Sequence, residues 1–365
     1  MSRITRQQIT QNSRLVAVAL LCLLAACVKD KPDTTSPPPA GEGRQVYIAD
    51  EGAMGNGNAS LTVYNIDQGT VSNNVYAQAN GGQALGDVLQ SMTLLDGNLY
   101  LAVNNSDKIT IVSQKDFRQT GSIAVPKPRY MLPVSEDKMY VSSLFYAQIN
   151  IVNPKTMQVT GKIATDYKNT EGMTLLNGKV YACNWDTACS YLYEIDPIGD
   201  TITHRIPLAG RAPQQVTVDR DQKLWVLAGN VYKKKTASLT QIDPATRSIL
   251  KSFVFPDQAD VMKPVFNPTK DTLYYLGVNY SGGTAYNGLY RMPISATTLP
   301  AQQFIAAQPL QYYWGLGIDP VTGFIYLGDP KGFLQKGSVT IYRQDGSQVN
   351  RFDTDLGPGY FLFKP

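Results

Sequence analysis

The feature that most constrains this chain is an aromatic residue between apolar neighbours that returns seven times: Val46-Tyr47-Ile48, Leu99-Tyr100-Leu101, Met139-Tyr140-Val141, Val180-Tyr181-Ala182, Leu224-Trp225-Val226, Leu273-Tyr274-Tyr275 and Ile325-Tyr326-Leu327. Successive aromatics stand 53, 40, 41, 44, 49 and 52 residues apart, close to the roughly 40 to 50 residues of one four-stranded propeller blade. One complete unit runs from Val88 to Val125. It reads as four short strands, Leu89 to Leu94, Asn98 to Val103, Lys108 to Ser113 and Arg118 to Ile123, separated by turn formers such as Asp96-Gly97. A single meander of this kind leaves both faces wet, so it needs neighbours. Helical repeats of similar length would carry apolar residues at three and four spacing; here the runs alternate or are continuously apolar, and 30 Gly and 22 Pro interrupt them. The predicted fold class is all-β, a seven-bladed β-propeller with four-stranded antiparallel blades.

The first unit starts on a second-strand pattern, Gln45 to Asp50, followed by Ser60 to Ile66 and Val71 to Gln78. Its missing innermost strand is expected from the last apolar segment, Tyr360-Phe361-Leu362-Phe363, so that the C-terminal strand joins the first blade and closes the ring. Closure removes the unpaired edge that an open array would present. The propeller is expected to occupy residues 44–365 as one domain.

Ahead of it, Arg3, Arg6 and Arg14 precede the short apolar run Leu15 to Ala26, which ends in small residues before Cys27. This pattern predicts a lipoprotein signal over residues 1–26, with Cys27 as the lipidated first residue and residues 27–43 as a flexible tether. Cleavage would remove three arginines and no acid, leaving 30 basic against 29 acidic side chains. So even a balance argues against a nucleic-acid partner, which calls for a marked basic excess. The membrane is then met through the lipid anchor only. Cys183 and Cys189 flank one loop of an exported chain and are expected to form a disulfide; the alternative is a pair of buried thiols.

Catalytic signatures are scarce. His204 is the one histidine, it lies in the strand pattern Thr201 to Ile206, and an exposed structural role is expected for it. That argues against a multi-histidine metal site and a Ser-His-Asp triad. No metal site and no catalytic activity are expected.

The loops fall into two populations. Those joining first to second and third to fourth strands are short turns, such as Asp96-Gly97, Asn177-Gly178 and Asp196-Pro197. Those joining second to third strands, and each blade to the next, emerge at the opposite end of a propeller and are longer and aromatic. The binding candidates lie there: Asn104, Arg129, Tyr130, Phe145, Tyr146, Asn184, Trp185, Tyr232, Tyr280 and Trp314. Aromatics on a rigid scaffold supply contact area at low entropic cost, and Asn offers donors and acceptors together. For any one of these residues the alternative is a wedge between blades or a turn cap. With mixed charges around them, they suit a large neutral amide-bearing or sugar-like ligand better than a polyanion.

Several segments carry a family resemblance: Asn58-Ala59-Ser60-Leu61, Ala79-Asn80-Gly81, Leu85-Gly86-Asp87-Val88-Leu89-Gln90-Ser91-Met92, Val103-Asn104-Asn105-Ser106 and Pro128-Arg129-Tyr130. In these the chain resembles the YncE-like, DUF5074-type propeller lipoproteins of Bacteroidota, which include surface cobalamin-binding propellers seated over a TonB-dependent vitamin B12 transporter. The stretch Gly82-Gln83-Ala84-Leu85 departs from the more basic, proline-containing spacing of that pattern. The resemblance implies a non-catalytic lipoprotein on the outer-membrane surface that binds cobalamin (vitamin B12) or a related corrinoid, as cargo rather than cofactor, and passes it to a TonB-dependent transporter. Related propellers serve other nutrients, siderophores or glycans among them. A structural or adhesive surface protein and a propeller enzyme are the further alternatives.

Overall fold

Seven four-stranded antiparallel sheets succeed one another along the chain. The computed structural model describes residues 43–257, 259–279 and 284–364; the expected signal, Cys27, most of the tether and Tyr280 lie outside them. Among the described residues no helix is long and apolar enough to cross a membrane.

Each of the seven aromatic triplets lies in the second strand of its blade. Tyr47 is in Gln45–Asp50, Tyr100 in Asn98–Val103, and the series runs on to Tyr326 in Ile325–Asp329. Alternation along a strand sends neighbouring side chains to opposite faces, and the faces here are the walls between blades. Seven apolar clusters result, each joining adjacent blades and each containing one of the seven aromatics. Tyr100 packs with Met139 and Val141 of the next blade, Tyr140 with Val180 and Ala182, Tyr181 with Leu224 and Val226, and Trp225 with Leu273 and Tyr275. Tyr274, Tyr326 and Tyr47 complete the circuit against Ile325, Val46 and Leu99. A buried aromatic removes roughly 150 to 250 Å² from water, which is why one large residue per unit suffices to mark the repeat.

The ring closes through the last strand, Pro358–Lys364, which pairs antiparallel with Gln45–Asp50 in the register Val46↔Phe363, Tyr47↔Leu362 and Ile48↔Phe361. Its approach to blade 7 requires glycine: a Cβ on Gly317 would stand 2.6 Å from the Cβ of Phe361. The turn at Asp96-Gly97 has positive φ at both residues, 48° and 72°, the type I′ geometry whose twist matches a hairpin.

Two expectations are corrected. Val71 to Gln78 is not one strand. Strand Thr70–Ser72 stops before Asn74, which takes a left-handed φ of 51°, and Val75–Ala79 forms a helical turn that buries Val75 and Tyr76. The disulfide is not formed either, since Cys183 and Cys189 are both buried free thiols. Cys183 packs among Tyr181, Leu192 and Ile206, while the Cys189 sulfur lies 3.3 Å from the Tyr191 carbonyl. Burial pushes the Cys189 thiol up to about 11 and raises the Cys183 thiol well above its ordinary value, so neither supplies thiolate readily. His204 sits on the outermost strand Thr201–Pro207, its Nδ1 3.1 Å from the Glu194 carboxylate.

Candidate functional site

The innermost strands of blades 2 to 5 begin alike. Val88, Lys127, Asn169 and Ala212 take left-handed φ values of 61°, 43°, 68° and 59° directly before Leu89–Leu95, Pro128–Ser135, Thr170–Leu176 and Pro213–Val218. Within a few residues the pairing register then slips, between Leu89 and Ser91, Pro128 and Met131, Thr170 and Met173, and Pro213 and Gln215. Blade 6 slips between Met262 and Val265, and blade 1 where Gly359 is extra opposite Ala49 and Asp50. Such a bulge holds residues that the ladder does not pair, bends the strand and re-aims side chains. The bulged polar residues are Gln90, Arg129, Glu171, Gln214 and Lys263. All five line one cavity of about 660 Å³. Its upper wall comes from second-to-third loops, including Met54, Trp185 and Phe333, so it opens at the loop-rich end.

Five acidic or basic side chains meet there, Glu51, Arg129, Glu171, Asp260 and Lys263. Arg129 Nε and Nη2 donate to the two oxygens of Glu171 at 2.8 and 3.2 Å, a bidentate geometry that fixes both side chains, and Arg129 Nη1 donates to Gln90. Burial alone would pull the guanidinium down, but Glu171 more than offsets it and holds Arg129 above its ordinary value. Glu51 and Lys263 stand across from one another without such a contact. Burial raises the Glu51 carboxyl and Lys263 draws it partly back, while burial lowers the Lys263 ammonium. No ion pair joins these two, and Glu51 Oε1 and Trp314 Nε1 are buried with no hydrogen-bond partner. The Lys263 ammonium stands 6.0 Å from the Trp314 ring centroid. Asp260, also in the wall, is pushed up to about 6 by burial.

Of the ten candidates from the sequence, Asn104, Arg129, Tyr130, Trp185 and Trp314 line this cavity. Asn104 and Trp185 also brace it, with Asn104 Nδ2 donating to the Pro128 carbonyl at 3.0 Å and Trp185 Nε1 to the Gly229 carbonyl at 2.9 Å. Asn184 is not in the wall. It is fully buried, donates to the Tyr167 carbonyl and accepts from the Asp186 N–H, which is a turn-capping role. Phe145, Tyr146 and Tyr232 are not in the wall either; they stand on loop tips at 59, 43 and 89 % exposure. Tyr280 lies outside the described residues.

Glu51, Gln90, Glu171, Gln214 and Lys263 are cavity residues that aromatic enrichment does not pick out. A signal for most of them exists in the sequence. Gln90, Arg129, Glu171, Gln214 and Lys263 recur at intervals of 39, 42, 43 and 49 residues, a polar residue near the start of each innermost strand, where a buried strand calls for apolar ones.

Residues 44–362 match the family described as a domain of unknown function, DUF5074. This chain belongs to that family. No curated protein matches it. Among solved structures it is similar to a quinoprotein alcohol dehydrogenase-like protein from Bacteroides thetaiotaomicron, at 16 % identity and a TM-score of 0.66 over 89 % of this chain and 79 % of the other. It is also similar to hydrazine synthase from Kuenenia stuttgartiensis, at 15 % identity and a TM-score of 0.59 over 74 % and 88 %. A computationally designed protein, Ika8, follows at 9 % identity and a TM-score of 0.55 over 87 % and 91 %. At these identities the likeness shows the propeller fold alone.

Proposed function

We propose that this member of the DUF5074 family is a lipid-anchored protein of the outer-membrane surface that binds cobalamin or a related corrinoid at the loop-rich mouth of its propeller and passes it to a TonB-dependent transporter. The carrying observation is the cavity of about 660 Å³ whose wall sets Arg129 and Lys263 against Glu51, Glu171 and Asp260, a near balance of charge because burial pushes Asp260 up to about 6. A ligand seated there need bring no net charge, and Tyr130, Trp185 and Trp314 offer it flat apolar area. A broad neutral macrocycle fringed with amides matches that combination. The reading contains no catalytic step.

Calorimetry with the purified protein tests it, using cobalamin, a ferric siderophore and neutral oligosaccharides in parallel. Cobalamin is expected to bind with little dependence on salt. Trp185→Ala and Trp314→Ala are each expected to weaken it by about 2 kcal/mol, as central interface anchors do. Absence of cobalamin heat at micromolar protein removes the corrinoid and leaves a propeller for another nutrient. The anchor is tested separately. Cys27→Ser should move the protein from the membrane fraction to the soluble one with its melting temperature unchanged, and a variant that stays on membranes after a salt wash refutes lipidation.

A further inference from the structure

Lys263 and Glu51 break the pattern set by the other charges of the mouth. Arg129 and Glu171 satisfy one another at 2.8 Å, but the second cation and the second carboxylate, both in the cavity wall, form no ion pair. Glu51 is 7 % exposed and its Oε1 has no partner, while Lys263 is half-buried and desolvation draws its ammonium below the ordinary value. Burying charges so costs several kcal/mol per ion unless a partner returns it. Lys263 is moreover held at a φ of 56° inside a strand bulge, a left-handed conformation that lysine adopts only where surrounding structure imposes it. Beside them the Trp314 indole N–H is buried without a hydrogen bond of normal geometry, yet near enough to Glu51 to draw its carboxyl down. The other two indoles of the chain are bonded, Trp185 to the Gly229 carbonyl and Trp225 to the Asp219 carboxylate.

An anion offered to Lys263 and Trp314 would meet the Glu51 carboxylate, and a cation offered to Glu51 would meet Lys263. A neutral group that accepts at one end and donates at the other satisfies both without adding a charge. A carboxamide is such a group, with its C=O and N–H₂ side by side. We infer that Glu51, Lys263 and Trp314 form a carboxamide subsite in the wall of the mouth, the amide oxygen accepting from Lys263 and the Trp314 indole and the amide nitrogen donating to Glu51. The inference rests on the reading of this cavity as a ligand site, but it does not require a corrinoid.

Three isosteric probes separate the possibilities: propionamide, propionate and propylammonium. Each is titrated into the full chain labelled with ¹⁵N-tryptophan while the three indole N–H signals are followed. Propionamide is expected to move the Trp314 signal saturably, with a midpoint of roughly ten to a hundred millimolar for so small a ligand, and to leave Trp185 and Trp225 in place. The two ions are expected to move it less than about one fifth as far over the same range, the loss that one unmatched charge imposes. Lys263→Met should abolish the propionamide response, with unmoved Trp185 and Trp225 signals reporting an intact ring. The inference is overturned if propionate or propylammonium moves Trp314 as far as the amide does, if all three indoles move together, or if propionamide moves none. Cobalamin binding without a propionamide response would overturn the subsite and leave the corrinoid reading standing. A propionamide response without cobalamin binding would do the reverse.

Discussion

Deletion of residues 358–365 is expected to unfold the entire propeller instead of fraying one blade. The segment supplies the innermost strand of blade 1, and its pairing with Gln45–Asp50 is the step that turns a row of sheets into a ring. Without it the backbone of Gln45–Asp50 becomes an open edge. The faces once covered by Phe361 and Phe363 of one cluster, and by Tyr360 and Leu362 of the next, are exposed to water. At about 1.5 to 3 kcal/mol for each large apolar side chain, the loss is on the order of 5 to 10 kcal/mol. That is as large as the whole stability of an ordinary domain. Circular dichroism melting of the truncated chain should therefore show no cooperative transition at the native temperature. A truncated chain that melts where the intact one does would show that the ring is held by other contacts.

The second large effect lies at the same seam and depends on pH. Asp50 is completely buried, and its Oδ1 has no hydrogen-bond partner. Ser60 Oγ bridges its other oxygen to Asp355, at 3.1 and 2.9 Å, and Thr62 Oγ1 donates to it at 2.6 Å. Desolvation raises the carboxyl, the Thr62 and Ser60 hydrogen bonds draw it partly down, the Asp355 charge adds to the rise, and the result is about 8 against 3.8 for an ordinary aspartate. The folded state thus keeps a proton on Asp50 at pH values where the unfolded chain has released it. The sign follows from linkage: the contribution of this group is full below about pH 4 and is lost progressively as pH rises to about 8, then stays flat. At about 1.4 kcal/mol per unit the span reaches several kcal/mol, an upper bound because water and local rearrangement would relieve part of it. Asp50→Asn, which keeps the shape and cannot ionise, should flatten the pH profile of chemical denaturation and stabilise the protein most at pH 8. Parallel profiles for wild type and variant would refute the assignment.

The contrast between these two regions and the mouth explains what the sequence makes legible. Tyr47, Tyr100 and Trp225 were readable as blade markers because a wedge between sheets must be large, apolar and at a fixed place in each unit. Tyr360 to Phe363 was readable as the closing strand because one blade lacked a strand and one apolar run lacked a blade. The mouth was half legible. Trp185 and Trp314 lie on connections, where aromatics stand out. Glu171 and Lys263 lie inside strands, at positions where alternation assigns them to one face and a bulge turns them to another. Period-two reasoning cannot register an extra residue. Tyr232 shows the converse: an aromatic on a connection that stands almost free on its loop tip with Lys233 over its ring. Helix Val75–Ala79 escaped for a further reason: Asn74 breaks the strand by adopting a left-handed turn, which asparagine allows without demanding.

The bulges also bear on how the lining of the mouth can vary. A residue outside the hydrogen-bond ladder answers to no cross-strand partner, so its side chain is constrained by the other groups of the mouth, as Arg129 is by Glu171, rather than by the pairing of the sheet that carries it. Gln90, Arg129, Glu171, Gln214 and Lys263 occupy such positions on five successive blades. The scaffold thereby separates what pairs the strands from what lines the mouth: point substitutions around a single circle would remake the lining while every blade keeps its register.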